Sequence, residues 1–311
     1  MYFPYFRARQ FELIALRELV KGGKLKDKIM PVFEPVRKSL SNFEVVNRVF
    51  QENQFKAFII VNPMTGEITG DTNYYLDYIG NLKESSFVPA FHFTKNCDFI
   101  NQSMDKYNLT GCLLINTTDF SDEVLFKEMS NNNRITHVMI KDAQKYRSLD
   151  RYFKDSKKFY IKLDDLFDKQ KRNEDYLGIS AHKFSEEHLY YRSEGYDGFS
   201  DFTVLPSEFS DGGSTPRAVV IHLTYLNQED ENSIWIRHFT SDTNGVISNV
   251  QGKFAEAAKK AIKYCDSQNI SNVAIEELKQ YLNEKKYPGL GIVKKISIKN
   301  HLIVANLFLS N

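Results

Sequence analysis

The sequence predicts an α/β protein, and three observations carry that expectation. First, short and continuously apolar runs recur along residues 30–162: Met30-Pro31-Val32-Phe33, Ala57-Phe58-Ile59-Ile60-Val61, Phe87-Val88-Pro89-Ala90-Phe91, Cys112-Leu113-Leu114-Ile115, Thr136-His137-Val138-Met139-Ile140 and Phe159-Tyr160-Ile161. Runs without polar alternation mark strands buried on both faces, as in a parallel sheet covered by helices. Second, amphipathic stretches of helical period separate the runs. Third, each run closes on a polar residue: Glu34, Asn62, His92, Asn116, Lys141 and Lys162. Two later runs, 199–205 and 217–225, raise the strand count to eight, and the expected architecture is a (β/α)8, TIM-barrel-like fold.

The elements follow in order. Residues 1–29 read as an N-terminal arm and a helix, in which Phe11, Ile14, Ala15 and Leu19 share a face and Gly22-Gly23 ends the helix. The barrel is expected over 30–240, with strands at 30–36, 57–62, 87–92, 111–116, 136–141, 158–163, 199–205 and 217–225. Helices are expected near 42–53, 72–83, 95–107, 120–130 and 142–155, with Asp71, Thr94, Ser121 and Asp142 as capping or first-turn residues. The stretch 173–197 is polar and aromatic, and too long for an ordinary connection, so it reads as a functional loop or lid. The link between the last two strands holds Asp211-Gly212-Gly213-Ser214, a turn without room for a helix, which makes the barrel irregular at strands seven and eight. A further strand, 233–239, pairs with 217–225 as an added hairpin strand. Residues 241–311 form C-terminal helices, near 248–267 and 272–284, and an apolar tail packed on the barrel.

Composition narrows the function classes. The chain has 41 basic and 40 acidic side chains, which argues against a protein built chiefly to grip a nucleic-acid backbone and leaves open a local basic patch. Cys97, Cys112 and Cys265 show neither disulfide nor metal-ligand spacing, and the first residues lack a signal pattern, so a cytoplasmic location is expected. No run of about eighteen apolar residues exists, and no membrane association is expected. There is no phosphate-binding glycine loop, dinucleotide fingerprint or Gly-x-Ser-x-Gly motif.

The opening Met1-Tyr2-Phe3-Pro4-Tyr5-Phe6-Arg7-Ala8-Arg9-Gln10-Phe11-Glu12-Leu13-Ile14-Ala15-Leu16-Arg17-Glu18 resembles the "beta protein" family of bacteria and phages. Blocks at Pro31–Val36, Gly198–Phe202, Ile221–Tyr225 and His238–Asp242 fit the same pattern, so the resemblance spans residues 1 to 242. Where the family pattern has Gly, this chain has Ala8. The resemblance implies a setting among mobile-element and phage-defence genes, with a protein partner from the same operon. It brings no established activity.

Candidate site residues come from the strand ends, where α/β folds place their chemistry. Glu34, Asp201 and His222 are the catalytic candidates. Glu34 ends a strand as a general base or metal ligand, and an acid beside a histidine on the last two strands is a recurrent proton-transfer pair. Each has a plain structural alternative, as a loop anchor or a satisfied polar pair. Asn62, His92, Asn116, Lys141, Lys162 and His238 are the ligand-binding candidates. Two lysines at one mouth suit an anionic ligand, a carboxylate or a phosphate-containing ligand, unless Asp164 and Asp165 neutralise them. Arg7 or Arg9 paired with Glu12 would lock the N-terminal arm onto the barrel floor, a reading favoured over presentation of the arginine to a partner's acidic patch. A divalent metal held by Glu34, Asp201 and His222 stays open, since no helical metal-ligand spacing decides it. Two functions follow: a hydrolase acting on a phosphodiester or nucleotide, or a non-catalytic subunit that senses a protein partner or phage component.

Overall fold

A computed structural model describes residues 1–25, 27–120, 122–212 and 217–309. Ser121 as a cap, and Gly213 and Ser214 in the expected turn, lie outside the described residues. Eight parallel strands form the barrel: β1 (Tyr5–Phe6), β2 (Val32–Phe33), β3 (Ala57–Ile60), β4 (Phe87–His92), β5 (Cys112–Asn116), β6 (Ile135–Lys141), β7 (Phe159–Asp164) and, after an excursion, β9 (Gly198–Asp201). Helices α1 (Gln10–Lys21), α2 (Ser41–Glu52), α3 (Tyr74–Gly80), α4 (Cys97–Lys106), α5 (Glu123–Ser130) and α6 (Arg147–Lys154) cover its outside. Asp122 caps α5 by accepting from the Leu125 N–H, while Asp71 instead accepts from the amides of Asn62 and Asn96.

The first strand corrects the sequence reading. The N-terminal segment is barrel strand one, not an arm. Tyr2 bridges in parallel to Ile29 on one side and to Phe199 on the other, and the Phe3 N–H donates to the Phe199 carbonyl at 2.8 Å, which brings β1 and β9 together. Gly198 permits the approach, because a Cβ there would stand 2.5 Å from the Phe3 ring and 3.0 Å from the Met1 carbonyl oxygen. Phe3, Tyr5, Phe58, Leu113, Met139 and Ile161 fill the interior, so alternate residues of every strand point inward.

The segment 217–225 is accordingly not the eighth barrel strand. It lies in a separate antiparallel sheet, ordered β10 (Val220–Asn227), β11 (Ser233–Thr240), β8 (Ala181–Ser185). The hairpin of β10 and β11 forms as the sequence predicts. The stretch 173–197 is not a free lid: it supplies β8 and the short helix α7 (Glu187–Tyr190). One face of the small sheet packs on α8 (Val250–Ser267) and α9 (Val273–Asn283) through Ile221, Leu223, Phe239, Phe254 and Ile275. The last helix, α10 (Leu290–Leu309), contributes Val293 and Ile296 to that core and Ile298, Leu302 and Val304 to the barrel's outer core. Burial on two sides explains why its apolar residues do not keep to one face. Among the described residues, no helix is long and apolar enough to cross a membrane.

Candidate functional site

Inward parity decides which strand-end residues meet at the barrel mouth. Glu34 follows Val32 inward and is fully buried. Its Oε2 accepts from the Tyr5 hydroxyl at 2.6 Å and pairs with the Arg7 guanidinium, and its Oε1 accepts from the Met64 N–H at 2.8 Å and lies 3.5 Å from His92 Nε2. Burial, with Arg7 nearby, pushes the His92 imidazole down to about 3, so it is neutral and its Nε2 also lies 3.2 Å from the Tyr5 hydroxyl. Arg7 therefore pairs with Glu34 and not with Glu12, which takes the Arg9 backbone N–H at 3.2 Å.

Asn62 and Asn116 serve the backbone. The Asn62 amide both donates to the His92 carbonyl, at 2.9 Å, and accepts from its N–H, at 2.8 Å, which clamps β3 to β4. Asn116 donates to the Thr118 carbonyl within its own loop, at 2.6 Å. Lys141 faces inward and lies 3.6 Å from Asp165.

Three expected members of the mouth are elsewhere. Lys162 alternates with the inward Ile161 and Leu163, so it points out of the barrel, where it pairs with Glu187 at 2.7 Å and Asp164 at 3.3 Å. Asp201 also points outward. Its Oδ1 accepts from the Tyr2 hydroxyl at 2.6 Å and from the Thr203 N–H at 2.7 Å, and the same Tyr2 hydroxyl lies 2.9 Å from His301 Nε2 on α10. His222 sits on β10 with its Nδ1 2.7 Å from His238 Nδ1, against the rings of Phe167 and Tyr176. The expected acid–histidine pair, Asp201 with His222, does not assemble. Neither does the metal trio: among the described residues, no group of three or more His, Cys, Asp or Glu side chains is placed to hold a metal ion.

The loops after β7 and β9, together with α10, border an open cavity of about 950 Å3. Five cationic side chains line it, Lys169, Lys171, Arg172, Arg217 and Lys294, against one acid, Glu174. Arg172 pairs with Glu174 at 3.0 Å, and Lys169 pairs with Glu208 at 3.1 Å. Lys171, Arg217 and Lys294 make no ion pair among the described residues, so the cavity keeps a net positive lining. His222 is its one sequence-predicted site residue.

Neither a family model, nor a curated protein, nor a solved structure matches the chain.

A second cavity, of about 360 Å3, adjoins the first and shares Lys169, Leu205, Pro206 and Lys294 with it. Tyr5, Arg7, Arg9 and Glu12 line this smaller space. Glu12 is buried there, and desolvation lifts its carboxyl to about 7 in spite of the Arg9 N–H and the neighbouring cations. Tyr5 and Arg7 both bond Glu34, so the carboxylate lies one side chain beneath the cavity wall. The cationic run Lys169-Gln170-Lys171-Arg172 was visible in the sequence as a local charge cluster following a strand. Arg217 and Lys294 gave no such signal, because only the fold brings them to it.

Proposed function

We propose that the protein binds a phosphate-bearing anion in the 950 Å3 cavity beside the barrel mouth. The observation that supports this reading is the set Lys171, Arg217 and Lys294, three cations in one concave space that make no ion pair among the described residues. Its place supports the same reading. The loops after the seventh and eighth strands of (β/α)8 barrels frequently form phosphate sites at the C-terminal face, which is a fold-level analogy. Here those loops are 165–180 and 202–212, and both contribute to the cavity wall.

Binding without catalysis is the first form of the proposal. Glu34 is buried and ion-paired, and Asp201 is committed to Tyr2 and His301, which leaves neither carboxylate open to a ligand. Hydrolysis of a phosphodiester is the second, and one observation favours it: the His222 ring reaches the cavity wall. Burial and the neighbouring His238 hold that imidazole well below its usual range, so it enters the site as a neutral base.

Calorimetric titration with inorganic tripolyphosphate tests the binding reading. Arg217→Ala and Lys171→Ala should each weaken binding by about tenfold, as expected for loss of a charge-assisted contact, and affinity should fall steeply with added salt. Unchanged affinity in the double variant would refute it. For the catalytic form, bis(p-nitrophenyl) phosphate turnover that survives in His222→Asn excludes His222 as the base.

A further inference from the structure

The cavity is not uniform along its length. Phe167, Tyr176 and His222 line the larger space only, whereas Lys169 and Lys294 stand where it meets the smaller one, beyond which lie Arg7 and Arg9. The three rings form one cluster. Phe167 and His222 meet edge to face at 5.2 Å and Tyr176 and His222 at 4.9 Å, while Phe167 and Tyr176 are tilted at 6.5 Å. Tyr176 is fixed within its loop, since its hydroxyl accepts the Gln170 N–H and donates to the Asp168 carbonyl, both at 3.1 Å. Phe167 is only half-buried, so part of its ring faces the open space.

An inorganic anion makes no use of an aromatic wall, and it fills little of a space this large. Cavities of about 300–1,000 Å3 hold ligands of drug or cofactor size, oriented by a few polar groups. A planar heterocycle at one end and a charged group at the other match what the walls offer.

We propose that the ligand is a nucleotide whose base stacks at Phe167 and whose phosphates reach Arg217, Lys171 and the junction at Lys294. This inference rests on the anion-binding reading above and adds the base. Stacking of a base on one aromatic side chain is sequence-tolerant and corresponds to roughly five- to hundredfold in affinity. His222, with its Nδ1 already engaged by His238, offers the second ring nitrogen as a directional contact to the heterocycle.

The test compares ATP, GTP, CTP and UTP with inorganic tripolyphosphate by calorimetric titration of the whole protein. At least one nucleotide should bind about tenfold tighter than tripolyphosphate. Phe167→Leu, which keeps apolar bulk but loses the ring, should remove that margin and leave tripolyphosphate affinity unchanged. Phe167→Trp, which restores a stacking face, should keep the margin. Matched thermal melts show whether each variant is folded. Equal affinity for tripolyphosphate and all four nucleotides would overturn the base-stacking inference and leave the anion reading standing. No binding of any of the five would overturn both. Binding of a single-stranded oligonucleotide but of none of the four nucleotides would also overturn the inference.

Discussion

Arg7 and Glu34 form an ion pair between the exits of the first two barrel strands, with the Glu34 carboxylate fully buried and the Arg7 side chain mostly so. The guanidinium also donates to the Ser207 carbonyl at 2.5 Å and lies 5.4 Å from the Tyr5 ring and 5.7 Å from that of Phe202. One charge thus ties together the N-terminal strand, the second strand and the loop after the eighth.

Removing one partner of such a pair leaves the other buried and uncompensated. Glu34→Gln should destabilise the protein by about 3 kcal/mol, and Arg7→Met by a similar amount, in urea unfolding. A loss under about 0.5 kcal/mol in both variants would show that the pair is solvated and does not hold the mouth closed.

Tyr2 and His301 couple the barrel to the last helix through Asp201. Tyr2→Phe removes a buried hydroxyl that serves both partners and should cost about 1–3 kcal/mol. In a double-mutant cycle with His301→Ala, the two losses should fall short of additive by about 1 kcal/mol. Strict additivity would mean that the network does not join the two bodies.

The backbone at Ala8 is left-handed, with φ at 52°, immediately before the first helix. An L-residue pays to sit there and glycine does not. Ala8→Gly should therefore stabilise the protein by about 0.5–1 kcal/mol, seen as a higher melting temperature, after allowance for the extra freedom of the unfolded chain. A lower melting temperature would contradict the assigned turn.

Histidine burial sets an acid limit. The unfolded chain takes up a proton at His92 near 6.5, whereas the folded protein resists until about 3. Between those values the unfolded state binds the extra proton, so stability is full above 6.5 and falls as the pH drops. The slope should be about 1.4 kcal/mol per pH unit for this residue. His137 and His238, both held near 4 by burial, act in the same sense. Glu12, raised to about 7, and Asp164, raised to about 6, act oppositely. The difference between wild type and His92→Gln cancels these shared contributions and isolates His92. A pH-independent difference between pH 6 and 4 would show that the ring is protonated in the folded state.

The sequence made the six inner strands legible because both of their faces are buried, which leaves a continuous apolar run. It also made the hairpin of β10 and β11 legible. It hid the first strand, because Tyr2-Phe3-Pro4-Tyr5-Phe6 is short, interrupted by proline and followed at once by charge. It also hid which sheet Val219-Val220-Ile221 joins, since an apolar run records burial and not its neighbour. At the site, Glu34, His92 and Lys141 do reach the mouth. Lys162 and Asp201 do not, because the pleat turns them outward. Counting alternation from Ile161 and Leu163 would have placed Lys162 correctly. No count could have placed Lys294, which comes from a helix that follows both of the loops it faces at long range in the chain.

A phosphate-bearing ligand should occupy the cavity walled by the loops after β7 and β9 and by α10. The most direct test is a crystal structure of the protein grown with tripolyphosphate. Density for the anion is expected within hydrogen-bond reach of Arg217 and Lys294. An empty cavity, with the anion bound only at side chains outside it such as Arg37 or Arg134, would contradict this.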